Sequence, residues 1–568
     1  MPSCRVCAYC VRIASILLLA LTAGSAFGQE KLPEVSSSAI DAIFKKYDSP
    51  SSPGCSVGVI KDGQLIFAKG YGQANLEHEI PNTPKTVFYI GSTSKQFTAL
   101  SIAILVTQGK LKETDTLRRW VPELPAWADQ VTIDHLVHHT SGVPDFFALM
   151  PLAGQRLEDI HEDGDILRLL ERQPRLNFAP GEQFQYSNSG YFLLAVIVNR
   201  ITGKSLRAFA EETFFGPLRM ASTHFHDDRT MLVPRRAAGY EPKLGGYSIF
   251  ASLFDRIGDG GIMTSIEDIV KWDANYYDGK AGGMTAVKLA NTPGKLVDGR
   301  TLDYGYGLYL RDYRGLPQVS HGGIYLGFRA DLIRFPQQKL SVACFCNLYS
   351  VDVSKLAQQV ADLYLSKLYT KPDPATEELT GQEQTPAELQ RAVGTYLDLN
   401  SGMTLVVTLD SGTLKAAVPG SGFATMNLVY LGSNRYKARN SLKSDFEFSL
   451  DSKPQVVKLR LLQGPGANTT FLTRIEPVNP VKLSLPEFAG SYYSASLDNS
   501  MLVSVNGDRL SFASVRNPVR NLALTAPDTF AGSGLIAHFK RAPDKSVVGF
   551  ELSDPIGRVY RIEFRRQH

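Results

Sequence analysis

The sequence predicts an α+β protein: an antiparallel sheet flanked by helices, followed by two small antiparallel β-barrel-like units. Three observations carry this. Residues 54–368 run as strands, then helices, then strands, then one closing helix, an order that lays helices on a single antiparallel sheet. After a break at 370–388 no helical period of useful length remains, and short alternating runs with turn residues continue to the end. Those runs repeat: Gly394-Thr395-Tyr396 returns as Gly490-Ser491-Tyr492, and Leu414 as Leu510, at an offset of about 96 residues.

Composition excludes several classes. The 568 residues exceed by several-fold the ~150-residue domain prior. Hydrophobic residues at 43% and charged residues at 20% are ordinary for a globular chain. Sixty Lys and Arg against 56 Asp and Glu leave +4, too balanced for a nucleic-acid binder. Six cysteines are too few for a disulfide scaffold.

Residues 1–28 read as a secretory signal peptide. Arg5 and Arg12 precede an apolar run at 13–21, and Ala26 and Gly28 suit a cleavage site. That run falls short of the ~20 residues a membrane span needs, and no later run reaches it. The mature chain is therefore expected to be periplasmic or secreted, with no stable membrane span. Cys4, Cys7 and Cys10 leave with the leader. Cys55, Cys344 and Cys346 remain, and buried thiols are expected, with a disulfide from Cys55 to Cys344 or Cys346 as the alternative.

Each element follows from local pattern. Two β-rich runs around Lys61-Asp62-Gly63 predict a hairpin over 54–76. Residues 97–106 are apolar on every face and predict a buried helix. Thr132 caps a short helix over 132–139, with Gly142 just beyond. Thr264 and Glu267 read as a capping box before the next helix. Residues 317–347 hold three β-rich runs, and Leu356, Val360, Leu363 and Tyr364 keep helical spacing. Pro, Gly and acidic residues make 370–388 a linker. The resulting division is 30–369 for the large domain, then 389–476 and 485–568 for two β-units, with a single shared barrel as the alternative. His135, His138 and His139 fit no usual zinc spacing and read as helix-end packing. Asn468-Thr469-Thr470 is a formal glycosylation acceptor, read as a β-turn.

Three motifs carry chemistry. Ser92-x-x-Lys95 opens the buried helix, with both side chains on one face near the positive helix end. A lysine facing an apolar interior is costly unless paired or functional, and burial lowers its pKa toward that of a base. Tyr186-x-Asn188 leads into a second apolar helix. Tyr186 can hold a phenolate-like oxygen near the serine where a cationic neighbour stabilises it, and Asn188 can donate to Lys95 or to a substrate carbonyl. His321-Gly322-Gly323 ends a strand, leaving an imidazole beside backbone that a substrate can approach closely. Taken alone, the first motif reads better as a capping serine with a surface lysine and the second as a helix entry, while the third reads equally well as a strand-end turn.

Together, in this order, the three motifs resemble the active-site triplet of class C β-lactamase-type serine hydrolases, a group similar to penicillin-binding proteins, D-stereospecific peptidases and related esterases. Thr132–Pro144, Pro180–Asn188 and Gly258–Thr264 resemble the family too, and the resemblance covers about residues 36–368. It implies a β-lactamase/transpeptidase-like fold. It implies that Ser92 is acylated, that Lys95 and Tyr186 share proton transfer, and that Asn188 orients Lys95 and the substrate amide. It further implies an oxyanion hole from the backbone N–H groups of Ser92 and Ile324, with His321, Gly322 and Gly323 lining the substrate side. No metal or organic cofactor is needed. One departure matters: lactamases of this type carry Lys-Thr-Gly where this chain has His321-Gly322-Gly323, replacing a permanent charge by a group that titrates near neutrality. That, and a tail like the two β-barrels of some D-aminopeptidase-like members, favours a peptidase or esterase acting on small peptide-like substrates. A penicillin-binding or peptidoglycan-sensing protein with little turnover, and a true β-lactamase, are the alternatives. The oligomeric state is left open.

Overall fold

The structure is a computed structural model that describes residues 32–567, except 157–158, 252–254, 373–380, 400, 420–423, 439–443, 452, 454, 462–467, 477–483 and 556. The leader at 1–28, its three cysteines and much of the 370–388 linker lie outside the described residues.

Numbering only the strands of the three large sheets, the first sheet contains β1 (Cys55–Lys61), β2 (Gln64–Tyr71), β3 (Tyr309–Tyr313), β4 (Leu316–Tyr325), β5 (Phe328–Phe335) and β6 (Leu340–Cys346). Their order is β3-β4-β5-β6-β1-β2, antiparallel throughout. Chain-distant β1 and β6 thus pair at the centre. The β1–β2 hairpin turns at Asp62-Gly63, where both residues take positive φ (50° and 76°), as a D-G hairpin turn requires. Five longer helices matter here: α1 (Ser37–Phe44), α2 (Lys95–Thr107), α3 (Asn188–Thr202), α4 (Ile266–Asp278) and α5 (Val353–Leu365). The 97–106 reading is borne out: Lys95 through Leu105 are all buried. One large core joins α2, α3 and α4 to the sheet, and a second joins α1 and α5 to its other face.

Three local readings need correction. The start of α4 is capped by Ser265, which accepts from the Asp268 N–H, not by Thr264; Thr264 is held back in a small strand opposite Phe88. Cys55 and Cys346 form a disulfide rather than remaining thiols. The antiparallel register sets Cys55 directly opposite Cys346, whereas Cys344 faces Val57 and stays free and buried. Asn468 opens a strand, not a turn.

Two closed eight-stranded barrels follow: β7 (Gly394–Leu397) to β14 (Asn468–Ile475), and β15 (Gly490–Ser494) to β22 (Ile562–Arg566). The internal repeat is structural. The Tyr396 hydroxyl donates to the Ala392 carbonyl at 2.9 Å, and the Tyr492 hydroxyl to the Phe488 carbonyl at 2.7 Å. Leu414 and Leu510 sit inside their respective barrels. One correction applies: residues 386–392, partly read as linker, form a helix capped by Thr385, and Ala392 is buried in the first barrel's core. The second barrel shares the apolar cluster that joins α2, α3 and α4 to the first sheet. Its Asn499 and Asn517 side chains donate to the Leu152 and Pro151 carbonyls at 2.8 and 2.7 Å. Among the described residues no helix is long and apolar enough to cross a membrane.

Candidate active site

Ser92 lies in a one-turn 3₁₀ segment, Gly91–Ser94, that runs straight into α2. Close approach to β4 shapes this turn. A Cβ on Gly91 (φ 53°) would stand 2.8 Å from the Ile324 nitrogen, and one on Gly323 would stand 1.9 Å from the Ile90 carbonyl oxygen. Only glycine lets the two backbones meet. The Thr93 hydroxyl then donates to the His321 carbonyl at 3.0 Å and pins the turn to the strand.

Lys95 is completely buried. Its Nζ makes three contacts: Asn188 Oδ1 at 2.9 Å, the Asp259 carbonyl at 2.6 Å and Ser92 Oγ at 3.2 Å. Burial pulls its pKa from 10.5 down to about 7, against the opposing pull of the Asp259 and Asp145 charges. A neutral amine has two N–H donors and one lone pair. The carbonyl oxygens of Asn188 and Asp259 can only accept, so they take both donors and turn the lone pair toward the Ser92 hydroxyl.

Asn188 therefore accepts from Lys95 rather than donating to it. Its Nδ2 donates to Asp145 Oδ2 at 2.9 Å. Asp145 is fully buried and caps the helix Phe146–Leu152. The Tyr186 hydroxyl hydrogen bonds to Ser92, and burial pushes its pKa well above 10. The Lys95 ammonium position lies 4.8 Å from the Tyr186 ring centroid. The phenolate-like oxygen considered from sequence is thus replaced by a neutral phenol, because burial outweighs the cationic neighbour.

His321 also departs from expectation. It is 2% exposed, and burial together with the Lys95 charge brings its pKa to about 3, so it is neutral through the whole working range. Its Nδ1 lies 2.7 Å from the Gly322 carbonyl and its Nε2 lies 3.1 Å from the Tyr304 hydroxyl. Gly322 pairs with Asp331, Gly323 with Ala330 and Ile324 with Arg329 along β4–β5. The three motifs, spread over more than 200 residues of chain, therefore meet around Ser92.

Several contributors were missed from sequence. Asp259 lies inside Gly258–Thr264 and Asp145 just after Thr132–Pro144, stretches whose look was familiar but whose acceptor roles need the fold. His135 caps its own helix, with Nδ1 3.1 Å from the Thr132 nitrogen; His139 instead faces the site. A segment of the second barrel arrives from furthest away. The Arg558 carbonyl accepts from the Asp145 N–H at 3.1 Å and from Asn177 Nδ2 at 2.9 Å. Gln185 donates to the Gly557 carbonyl. The Arg558 guanidinium sits 3.8 Å from Asp145 Oδ2, and its charge lowers the pKa of both Lys95 and Tyr186.

With this constellation in place, residues 40–365 match the family model described as beta-lactamase. The chain belongs to the beta-lactamase family. Within it, the chain is 28% identical over 353 residues to a D-aminopeptidase of Gluconobacter oxydans, spanning 62% of this chain and 64% of that protein. It is 28% identical over 412 residues to penicillin-binding protein 4* of Bacillus subtilis, spanning 68% of this chain and 88% of that one. Among solved structures, the octameric penicillin-binding protein homologue from Pyrococcus abyssi superposes with a TM-score of 0.52 at 23% identity, covering 77% of this chain and 98% of that one. The penicillin-binding protein from Bacillus halodurans gives 0.50 at 26% identity, covering 57% and 99%. The chain spans less than two thirds of the length of that D-aminopeptidase.

Proposed function

We propose that the protein is an exported serine hydrolase that forms an acyl-enzyme on Ser92 and cleaves amide or ester bonds of small peptide-like substrates. The carrying observation is the buried Lys95, whose two acceptors leave its lone pair for the Ser92 hydroxyl. Lys95 takes the Ser92 proton as Oγ adds to the substrate carbonyl carbon. The oxyanion is held by the N–H groups of Ser92 and Ile324. As the scissile bond breaks, Tyr186 gives its proton to the leaving nitrogen or oxygen and recovers one from the Lys95 ammonium. Water then releases the acyl group by the reverse proton path. Tyr186 suits this role as a neutral phenol, and Lys95 suits the base role with its pKa near neutrality. Neither step calls on a metal or cofactor. Export rests on the 1–28 leader pattern.

The test is a fluorophosphonate probe read by intact mass. One adduct on the wild-type protein and none on Ser92→Ala supports the reading, and equal labelling of both overturns it. A panel of D- and L-aminoacyl p-nitroanilides, p-nitrophenyl esters and nitrocefin then separates peptidase, esterase and lactamase. The similarity to penicillin-binding protein 4* favours one second reading, a penicillin-binding role with little turnover. A penicillin adduct stable for hours, with every panel substrate left intact, would favour it.

A further inference from the structure

Behind Tyr186 runs a line of hydrogen bonds that the acyl-transfer scheme does not use. The Ser187 N–H donates to His139 Nδ1 at 3.1 Å. His139 Nε2 lies 3.2 Å from the Tyr304 hydroxyl, which lies 3.1 Å from His321 Nε2. His321 Nδ1 lies 2.7 Å from the Gly322 carbonyl. All three side chains are at most 2% exposed.

Both ends of this line are peptide groups, and that fixes every proton between them. An amide N–H can only donate, so His139 Nδ1 carries no proton, and a neutral His139 is protonated on Nε2. Nε2–H donates to the Tyr304 oxygen, whose own proton goes to His321 Nε2. His321 therefore keeps its proton on Nδ1 and gives it to the Gly322 carbonyl. Protonating His139 would set Nδ1–H against the Ser187 N–H. Protonating His321 would break its bond from the Tyr304 hydroxyl and turn that proton to the Tyr191 hydroxyl, the other group Tyr304 bonds. The terminal peptide groups cannot exchange protons at working pH, so the line holds one arrangement and is not a proton conduit.

Its placement gives it a task. Ser187 is the neighbour of Tyr186, and Gly322 lies two residues before Ile324. The Tyr186 ring rests on the His139 ring, centroids 4.3 Å apart. His139 holds a left-handed backbone (φ 58°) to reach this position, a conformation costly for a side chain with a Cβ.

We propose that His139, Tyr304 and His321 form a neutral, one-way positioning strut that fixes Tyr186 and the Gly322–Ile324 strand on opposite sides of Ser92. Tyr304 is its central positioning residue, and His321 serves it with both ring nitrogens. The groups facing the two imidazoles support neutrality. His139 is surrounded by Lys95, His138, Phe184, Tyr186 and Tyr191, and His321 by Lys95, Arg311, Tyr186 and Tyr309. The only charges among these are positive.

The test has two parts. The first is side-chain ¹⁵N NMR of histidine-labelled protein, with Tyr304→Phe used to assign the two signals. Opposite tautomers, Nε2–H on His139 and Nδ1–H on His321, unchanged from pH 5 to 9, are expected. A proton on His321 Nε2, or titration of either ring in that range, overturns the strut. The second part rests on the acyl-transfer reading. In Tyr304→Phe, the single-turnover rate of Ser92 acylation by a p-nitrophenyl ester should fall about tenfold to a hundredfold, as for misplaced reacting groups. KM should stay within about twofold, and the pH dependence should not move. A rate within twofold of wild type overturns the positioning role. If wild-type Ser92 forms no adduct, the acyl-transfer reading fails and the tautomers alone decide the strut. The same holds if Tyr304→Phe does not fold, because the wild-type tautomers can then be assigned with His139→Gln and His321→Gln.

Discussion

Lys95→Met offers the sharpest test of the site's electrostatics. The side chain is fully buried with its pKa near 7, against 10.5 in the open. Shifting an ammonium that far corresponds to about 5 kcal/mol of disfavour for its charged form. In the window between those two values the unfolded chain binds a proton that the folded chain does not. Folding stability from this group is therefore lowest below pH 7 and rises as pH climbs toward 10.5. From pH 7 to 9 the gain is about 2 kcal/mol. Methionine is one atom shorter, stays unbranched and cannot titrate, so the pH dependence of the difference in unfolding free energy between wild type and variant isolates the lysine. Guanidinium unfolding at pH 6, 7, 8 and 9 should show the variant more stable at pH 6 and 7, with the gap narrowing as pH rises. The wild type's kcat/KM should climb through a limb near pH 7 while the variant is inactive. A pH-independent stability gap, with a flat kcat/KM between pH 5.5 and 9, would refute the assignment of Lys95 as a neutral base.

Further outcomes follow from named contacts. The Asp145 charge raises the Lys95 pKa and the Arg558 charge lowers it; Asp145→Asn should therefore move the kcat/KM limb to lower pH, and Arg558→Ala should move it up by a few tenths of a unit. Gly323→Ala would push a Cβ to 1.9 Å from the Ile90 carbonyl, so ester hydrolysis should drop at least a hundredfold, read by steady-state kinetics with circular dichroism as the fold control. Cys55→Ser removes a crosslink closing a 291-residue separation, and thermal unfolding should report a loss of about 2–5 kcal/mol. Asn188→Ala leaves the Asp145 carboxylate and one Lys95 donor without their shared partner, and acylation measured by stopped flow should fall by two orders of magnitude or more.

Local chemistry was legible wherever the chain is its own neighbour. The Asp62-Gly63 turn, the all-apolar α2, the Thr132 cap and the three β-rich runs of 317–347 each read correctly, because turn geometry, periodicity and capping act over a few residues. The Thr264 cap failed for a non-local reason: pairing with Phe88 kept that residue extended and passed the cap to Ser265. The cysteines show the same limit. Cys344 and Cys346 share a strand face, but only the register against β1 decides which one meets Cys55.

The sequence by itself determined the α+β order and the doubled β-unit, and it singled out Ser92, Lys95, Tyr186 and Asn188 as one candidate set. Each of these leaves a trace in residue type and spacing. Only the tertiary structure decided the states of those groups. Lys95 is near neutrality, Tyr186 a phenol and His321 an uncharged imidazole because each is buried, and burial is a property of everything packed around a residue rather than of its neighbours in the chain. The same holds for Asp259, Tyr304 and Arg558, which reach the site through a carbonyl, a hydroxyl and a guanidinium brought from distant segments. Folding removes water from Lys95 and replaces it with two acceptors and one serine, and that exchange sets a common tetrapeptide in the geometry we propose for a base facing a nucleophile.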